Sequence, residues 1–565
     1  MKLFPTRPMR LPRLRPYVPR ADDPAIFWFN GERDDIVKEV TTRVVAANSA
    51  DNAALEYALN EVAFYEAQRL ARQKDQEAKD SLGFWKGVLK RVARMSEEEK
   101  RRTLSKIVRR MAKDVAGNFD PRVYRMSETV VPRLLTAVMN PMSLPQELVR
   151  PHSRIDELLR VEGDVEKLQK LSQKGTLIFT PTHSSNLDSI VLGYALQMNG
   201  LPPVIYGAGK NLFTNPIISF FMHNLGAYRV DRRVKSRLYK AVLKTYSTVM
   251  IERGYHSLFF PGGTRSRSGL IERKLKLGLA GTGVEAYSRN QVKGVRRKVW
   301  FVPTTINYVL VLEAETLIED YLKEQGKARY IIDDDEFSRI DRWVSFFRKL
   351  TSMESPCVIR FGAPLDPFGN DVDDNGKSVS PRGAVVDSAS YVSRDGKASI
   401  DPARDRAYTE DLGNVLSGRY CSESIIMTTQ LVAHVLYRRL VHATPGLEEF
   451  VRTRHRGDVT IPREELVREL GDARDALARL ENQGQVRMSE MLRKENPDYV
   501  LEQALEAFKG YHSRVAAHDI GAEVSVEDPT LLLFYQNRLV PYAETLADDV
   551  HLRAAREIAR IGTVR

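Results

Sequence analysis

Hydrophobic and polar positions follow three successive patterns along the chain. From about 35 to 139, apolar residues recur every three or four positions with few glycines or prolines, which is typical of amphipathic helices. Between about 140 and 370, short apolar runs bounded by glycine or proline alternate with helical stretches. From 411 to 565 the helical periodicity returns. The pattern therefore predicts helical regions on both sides of a central α/β unit.

Six apolar runs of the central unit are predicted to be buried strands. Helical segments near 187–199, 234–253 and 277–290 separate several of them, and strands joined through helices usually run parallel. The predicted fold class is therefore α/β, with a mostly parallel sheet flanked by helices. The six runs cover residues 175–182, 202–209, 226–230, 256–263, 298–308 and 357–365.

Two further segments have a distinct composition. Residues 1–34 form a basic segment rich in proline and arginine, which is too interrupted to supply the apolar core of a signal peptide. Residues 371–410 are rich in Gly, Asp and Ser and contain the turn dipeptide Asn375-Gly376, so they are predicted to form hairpins in an irregular insert or connector. The predicted division of the chain is 1–34, 35–139, 140–370, 371–410 and 411–565.

Two basic amphipathic helices are predicted within residues 84–113. Ser96 followed three positions later by Glu99 is a capping-box pattern, so the second helix should begin there. The apolar faces of such helices can pack on the rest of the protein, or they can lie on a membrane surface. The sequence leaves both roles open.

Composition narrows the classes of partner and of site. The formal net charge of +12 over 565 residues points to an anionic partner, such as nucleic acid, a phospholipid surface or a phosphorylated small molecule. The two cysteines, Cys357 and Cys421, have neither the spacing nor the neighbouring histidines of a disulfide framework or a zinc site, which fits a reducing cytoplasm. No run of about 18 apolar residues occurs, so we expect any membrane association to be peripheral.

The stretch IFTPTHSSNLDSIVLGYAL, residues 178–196, contains the first candidate chemistry. His183 follows an apolar strand, and Asp188 falls in the first turn of the next predicted helix. Asp188 can bend back onto the imidazole and leave the other ring nitrogen free to take a proton, as in acyl-transfer sites. The alternative is a structural histidine beside a helix-start acid. No Gly-x-Ser-x-Gly motif is present, so Ser184 and Ser185 are predicted to cap the helix.

A second motif, FFPGGTRSRSG at residues 259–269, ends another strand in a two-glycine turn. Arg265 and Arg267 follow, and because arginine forks match a phosphate bidentately, this loop is a candidate phosphate site. It lacks the Walker A pattern, which disfavours nucleotide hydrolysis. Two further strands are predicted to end in arginines (226–233) and in a proline turn (301–308).

The four motifs, in this order, resemble the four sequence blocks of the glycerolipid acyltransferase superfamily: the His-x4-Asp turn, LGAYRVDR, FFPGGTRSRSG and VPTTINY. Within it, they are most similar to the bacterial glycerol-3-phosphate acyltransferase subgroup, which includes dihydroxyacetone-phosphate acyltransferases. The resemblance extends more weakly from about 140 to 560, for example to RFGAPLDPFG and to PTLLLFYQNRLVPY (529–542).

The resemblance implies roles for individual residues. His183 would be the general base that deprotonates an acceptor hydroxyl, and Asp188 would orient it while the hydroxyl attacks an acyl thioester in a single displacement. No metal and no redox cofactor is expected. The acceptor and its phosphate would be bound by Arg232, Gly263, Thr264, Arg265, Ser266, Arg267 and Pro303.

One residue departs from the family pattern. Most of the superfamily carries a glutamate between the aromatic-proline pair and the glycine of block three, whereas this chain has Gly262. The missing carboxylate is thought to help hold the acceptor or order the loop. We interpret Gly262 as a variation in acceptor binding, because soluble plastid-type relatives also have a small residue near this point and keep the two arginines.

The expected activity is transfer of a fatty acyl group from acyl-CoA or acyl carrier protein to glycerol 3-phosphate, giving lysophosphatidate in phospholipid biosynthesis. Alternative acceptors are 1-acylglycerol 3-phosphate and dihydroxyacetone phosphate. A rival hypothesis of another class is a catalytically weak protein that binds anionic membranes on the same fold. Nucleic acid is disfavoured, since no aromatic-interleaved RNA motif or recognition helix is visible. Amphiphilic substrates favour a peripheral position on the cytoplasmic face of the cell membrane.

Overall fold

A seven-stranded sheet forms the centre of the protein in the computed structural model. The strands are β1 (Leu159–Glu162), β2 (Gly175–Pro181), β3 (Ile205–Gly209), β4 (Ala227–Val230), β5 (Ser257–Leu258), β6 (Lys298–Tyr308) and β7 (Cys357–Phe361). Their order is β1-β7-β6-β2-β5-β3-β4. β6 and β7 pair antiparallel, and every other neighbouring pair is parallel. The predicted fold class, α/β with a mostly parallel sheet flanked by helices, is confirmed.

The structure describes residues 17–72, 76–127, 159–209, 216–325, 357–455, 457, 459–509 and 512–546. The predicted boundary at 139/140 lies outside these residues, as do the first sixteen residues of the basic segment. The α-helices are Phe29–Ala47, Asn52–Leu70, Gln76–Arg91, Glu97–Val115, Val165–Lys174, Asp188–Met198, Pro216–Asn224, Arg237–Glu252, Ala280–Val292, Ala314–Gln325, Pro402–Glu423, Thr428–Ala443, Glu449–Arg452, Arg463–Asn482, Glu490–Lys494, Pro497–Phe508 and Pro529–Gln536.

β2 and β6 lie side by side at the middle of the sheet and are buried along nearly their whole length. Strands covered by helices on both faces need apolar side chains on both faces, which explains their nearly continuous apolar sequences. The predicted proline turn in β6 is wrong, because the strand runs through Pro303 to Tyr308. A proline has no N–H but keeps its carbonyl, and the Pro303 carbonyl accepts from Gly362 N at 2.7 Å.

The N-terminal helices pack against the helix Arg237–Glu252 near the β4 end of the sheet. Their first α-helix begins at Phe29, earlier than the predicted residue 35. The predicted capping box is confirmed: Glu99 N donates to Ser96 Oγ, and Ser96 N donates to the Glu99 carboxylate. The apolar side of this helix is buried in the protein, so one of its two possible roles is structural.

The segment 371–410 contains short β-pairs, as its turn dipeptides predicted: 371–372 with 378–379, 378–379 with 385–386, and 393–394 with 397–398. The next helix starts within the segment, at Pro402, and not after residue 411. Asp401 caps it by accepting from Ala403 N and Arg404 N. An acidic cap followed by proline is a strong helix start, so this boundary was readable in the sequence.

The C-terminal region contains more than the predicted helices. Three short strands, Val459–Pro462, Glu523–Val526 and Ala517–Ile520, form an antiparallel sheet. Each is four residues long, and alternation over so few positions is a weak signal. Much of this region shares one apolar core with β6 and β7. No helix in the described part of the chain is both long and apolar enough to cross a membrane.

Candidate active site

His183 lies in the turn between the end of β2 and the helix Asp188–Met198. Its Nδ1 is 2.8 Å from Oδ2 of Asp188. The His183 side chain is 15% exposed, whereas that of Asp188 is fully buried. The structure therefore brings together the two residues that the sequence predicted to act as a pair.

Several donors hold the Asp188 carboxylate in place. Oδ2 accepts the backbone N–H groups of Ser184 at 2.7 Å and Ser185 at 2.9 Å, in addition to His183. Oδ1 accepts the hydroxyl of Tyr308, the last residue of β6, at 2.7 Å. A carboxylate fixed on both oxygens cannot rotate away, so the imidazole that it contacts is also fixed.

The imidazole of His183 is oriented for proton transfer. Because its Nδ1 partner is a carboxylate, Nδ1 carries the proton and Nε2 keeps its lone pair. The ring stacks on Phe260, with centroids 4.1 Å apart and an angle of 26° between the planes. Stacking on one side and the Asp188 contact on one edge leave Nε2 as the nitrogen available to a substrate.

The backbone of His183 is tied to the block-three segment on both sides. Ser266 N donates to the His183 carbonyl at 2.7 Å. His183 N donates to Oε1 of Glu272 at 3.1 Å. The turn that holds the imidazole and the loop that holds the arginines therefore form one hydrogen-bonded unit.

The predicted arginines do not all lie together. Arg265 Nη1 donates to Oε1 of the buried Glu313 at 3.1 Å. The pKa of Arg232 is lowered by partial desolvation and by the positive charge of Arg265, which places these two cations near each other. Arg267 instead forms an ion pair with Glu324, at the end of another helix. Arg265 thus lies beside the His183 turn through Glu313, Arg232 is close enough for the charge of Arg265 to lower its pKa, and Arg267 is paired with Glu324.

Glu313 connects three parts of the site. Besides Arg265, it accepts the Ser185 hydroxyl at 2.8 Å and the Asn186 backbone N–H at 3.0 Å. Burial raises the pKa of its carboxyl, and the charge of Arg265 opposes that shift. The Ser185 hydroxyl therefore donates to Glu313, and its oxygen also accepts the Leu187 N–H at 3.2 Å just before the helix. The N-cap position itself is Leu187, whose side chain makes no capping bond, so neither serine occupies the N-cap.

The remaining predicted residues differ in their placement. Gly263 has a φ of +74°, a conformation that favours glycine, and Thr264 next to it is exposed. Ser266 bonds within the loop, its hydroxyl donating to the Leu270 carbonyl at 2.9 Å. Pro303 is buried inside β6, so it belongs to the sheet and is not at an exposed surface.

Four residues of the site carry no role in the sequence prediction: Glu272, Tyr308, Glu313 and Arg538. Tyr308 could have been found, because it closes the fourth block. The other three have no motif spacing that links them to His183. Arg538 is buried and its Nη2 donates to Oδ1 of Asn307 at 3.4 Å. Burial raises the pKa of Glu272 to about 8, although the His183 N–H and the charge of Arg538 oppose the shift.

Among the described residues, no group of three or more His, Cys, Asp or Glu side chains is arranged to hold a metal ion.

Comparison with known proteins identifies the central region. Residues 162–307 match the family described as Acyltransferase. The glycerol-3-phosphate acyltransferase of Pseudomonas paraeruginosa is 31% identical over 170 residues, which are 30% of this chain and 20% of that protein. The enzyme of the same name from Histophilus somni is 34% identical over 169 residues, 29% of this chain and 20% of that protein. The matched part of the chain thus spans about a fifth of the length of these curated relatives.

A solved structure, the 1-acyl-sn-glycerophosphate acyltransferase of Thermotoga maritima, covers 52% of this chain and 80% of its own, at 14% identity and a TM-score of 0.25. A likeness at that level carries no argument about function, which rests here on the sequence matches. Those matches include the His183 turn, the block-three loop and most of β6. Residues 162–307 of the chain therefore match the acyltransferase family.

Proposed function

We propose that this protein transfers a fatty acyl group from a thioester, acyl-CoA or acyl carrier protein, to the hydroxyl of glycerol 3-phosphate, giving lysophosphatidate. The proposal depends chiefly on one observation: the hydrogen bond of 2.8 Å between His183 Nδ1 and Asp188 Oδ2. It orients a base in a turn that is hydrogen-bonded to the loop carrying Arg265. Two relatives named glycerol-3-phosphate acyltransferases support the choice of acceptor.

In the proposed reaction, Nε2 of His183 takes the proton of the acceptor hydroxyl as its oxygen attacks the thioester carbonyl. A carbon–oxygen bond forms, the carbon–sulfur bond breaks, and the proton passes from the imidazolium to the departing thiolate. Asp188 stabilises the imidazolium without accepting its proton. The four hydrogen bonds to the Asp188 carboxylate keep the ring in this orientation throughout.

Arg232 and Arg265 are the proposed phosphate ligands. Two like charges close together are unfavourable until an anion lies between them, and a phosphate monoester supplies that charge with oxygens that suit guanidinium groups. Glu313 fixes Arg265 at 3.1 Å, which limits where the phosphate can bind. The acceptor hydroxyl is then held near Nε2, so binding supplies the proximity that the reaction needs.

We further propose that the protein works at an anionic membrane surface. Lys106, Arg109 and Arg110 are exposed on the helix Glu97–Val115, opposite its buried apolar side. The donor and the product are amphiphilic, so a basic surface would keep the enzyme near its lipid pool. The phosphate ligands and the membrane surface use different cations, which allows the two roles to be tested separately.

The central test replaces His183 with alanine and follows thiol release from a long-chain acyl-CoA. We expect a loss of about 10²- to 10⁴-fold in kcat, the usual contribution of a general base. His442→Ala, which removes an exposed histidine on another helix, is the matched control and should keep the wild-type rate. An unchanged rate in His183→Ala would refute the mechanism.

An acceptor panel tests the substrate. Glycerol 3-phosphate, dihydroxyacetone phosphate and 1-acylglycerol 3-phosphate are compared under the same conditions, and glycerol 3-phosphate is expected to give the highest kcat/KM. Arg232→Ala should raise the KM for the phosphorylated acceptor by more than tenfold and leave the KM for the donor near its wild-type value, since a bidentate contact is worth about 1.5 to 3 kcal/mol. A preference for another member of the panel would reassign the acceptor and keep the reaction class.

A further inference from the structure

Gly262 has no side chain because another residue fills the space. A Cβ atom placed on Gly262 would lie 2.5 Å from Oε1 of Glu272 and 2.7 Å from its Cδ. Contacts that short do not occur, so no side chain fits at 262 while Glu272 keeps its position. The backbone does not require glycine there, because Gly262 is absent from the positive-φ residues whereas Gly263 has a φ of +74°.

The Glu272 carboxyl makes a specific contact with the candidate base. Its Oε1 accepts the backbone N–H of His183 at 3.1 Å. The segment that carries it folds back along the block-three loop, where Lys276 N donates to the Pro261 carbonyl at 2.7 Å. Ser266 N binds the carbonyl of the same His183 at 2.7 Å. Residues 266–272 thus bind both the backbone N–H and the backbone carbonyl of His183.

Filling space does not by itself account for a carboxyl at this position. Oε2 of Glu272 is shielded from solvent and has no hydrogen-bond partner among the described residues, and Nε of buried Arg538 is in the same condition. Burial raises the pKa of Glu272 to about 8, which shows that this environment disfavours its charged form. An apolar side chain would occupy the space at a lower cost in free energy. What an apolar side chain cannot do is accept the His183 N–H.

We propose that Glu272 supplies, from ten positions further along the chain, the carboxyl group that most of the superfamily places at the position of Gly262. Glu272 then acts as a positioning residue: it holds the His183 turn in register with the block-three loop and does not touch the substrate. The inference rests on the proposed function, because a positioning role presupposes that His183 acts as the base. It also explains how a chain without the block-three glutamate keeps an ordered site.

The test is an exchange of the two side chains. Glu272→Ala removes the contact, Gly262→Glu adds a second carboxyl where there is no room, and the double variant Gly262→Glu/Glu272→Ala moves the carboxyl to the other position. Acyl transfer is measured for the wild-type protein and these three variants, with the acceptor that the wild-type protein prefers. Thermal midpoints are measured for the same four proteins. Glu285→Ala, on a helix away from the turn, is the control for removing a glutamate.

We expect Glu272→Ala to lower kcat by about 10- to 100-fold with little change in either KM, as for a base shifted by a fraction of an ångström. The double variant should recover to within about threefold of the wild-type kcat, since the carboxyl returns to the same space. Glu272→Gln, which keeps an acceptor oxygen, should retain most of the activity. A double variant no more active than Glu272→Ala, although folded, would overturn the positioning role, and so would a wild-type kcat in Glu272→Ala.

The thermal midpoints separate this inference from the proposed function. Gly262→Glu alone should lower the midpoint by about 1 to 3 °C, and the added Glu272→Ala should restore most of that loss, because the two side chains compete for one space. Additive shifts would overturn the shared space. If the wild-type protein acylated no acceptor of the panel, the proposed function and the positioning role would both fall, while the midpoints would still decide whether Glu272 occupies the space at 262.

Discussion

The two helical regions meet the α/β unit in different ways. The N-terminal helices pack on the helix Arg237–Glu252 and add ion pairs to it, such as that of Arg43 with the buried Glu252 at 2.5 Å. The C-terminal region reaches the backbone of the site itself: Tyr420 donates to the Thr180 carbonyl at 2.8 Å, and Asn537 Nδ2 donates to the Ser268 carbonyl at 2.9 Å.

The difference shows which region is part of the candidate site. Thr180 lies in β2 a few residues before His183, and Ser268 lies in the block-three loop, so C-terminal side chains help to set the geometry of both. The N-terminal helices lie near β4, at the edge of the sheet and three positions from β2 in the strand order, although Arg232 follows β4 by two residues. A change in the C-terminal region should therefore alter activity, whereas a comparable change in the N-terminal region should alter stability alone.

The largest expected effect comes from removing one buried cation in each region. Arg538 is buried beside Glu272, and Lys100 is buried with its Nζ 2.8 Å from Glu56. Arg538→Met should lower kcat by about 10- to 100-fold, because it removes the positive charge next to the carboxyl that contacts the His183 turn. Lys100→Met should keep the wild-type kcat and lower the free energy of unfolding by about 1 to 3 kcal/mol.

Steady-state kinetics are measured at a temperature where both variants are folded, and thermal unfolding is measured separately for each variant. Equal effects on kcat would show that the two regions do not differ in their link to the site. A loss of activity in Lys100→Met alone would reverse the assignment.

Low pH should also affect the stability of the two helical regions differently. His434 and His512 are buried in the C-terminal region, and burial lowers the pKa of each to about 4, whereas residues 17–127 contain no histidine. The unfolded chain binds protons at these sites from about pH 6.5 downwards and the folded chain does not, so stability is complete above pH 6.5 and falls as the pH drops toward 4. Each histidine should cost about 2 kcal/mol between pH 7 and pH 5.

Hydrogen exchange at pH 7 and pH 5 measures the loss of stability separately in each region. After correction for the intrinsic pH dependence of exchange, protection should fall in the C-terminal helices first, and His512→Gln should reduce the effect by about one proton. Equal loss of protection in the N-terminal helices would argue against buried histidines as the cause.

The last expected effect concerns the exposed basic side of the helix Glu97–Val115. Replacing Lys106, Arg109 and Arg110 with glutamine should weaken binding to anionic vesicles by about 1 kcal/mol per cation. Acyl transfer assayed without vesicles should not change, because these residues belong neither to the His183 turn nor to the block-three loop. Flotation with phosphatidylserine vesicles at two salt concentrations gives the measurement, and Arg468→Gln, on a C-terminal helix, is the control. Unchanged flotation would remove this surface from the membrane proposal.

Local patterns in the sequence were sufficient for much of the fold. β6 occupies 298–308 as its apolar run predicts, and the Ser96–Glu99 capping box starts its helix. Both depend on neighbours in sequence. The small C-terminal sheet was missed, because each strand is only four residues long. Two of them, Ala517–Ile520 and Glu523–Val526, form a short hairpin, and the third, Val459–Pro462, joins from far along the chain.

The candidate site divides in the same way. The His183–Asp188 pair was predicted because both residues flank a single turn. Glu272, Glu313 and Arg538 were not, because each reaches the turn through tertiary packing and no fixed spacing marks it. Arg267 was predicted as a phosphate ligand from its position in the loop, but it forms an ion pair with Glu324 on the helix Ala314–Gln325.

The ion pair between Arg265 and Glu313 makes the proposed phosphate site asymmetric. The buried carboxylate of Glu313 pairs with Arg265 and also accepts the Ser185 hydroxyl of the His183 turn, so the position of Arg265 is fixed. Arg232 is exposed and has no carboxylate partner in the described part of the chain, so its side chain can move. In the proposed site, acceptors whose phosphates lie at different distances from the reacting hydroxyl would be accommodated by movement of Arg232, while Glu313 holds Arg265 in place.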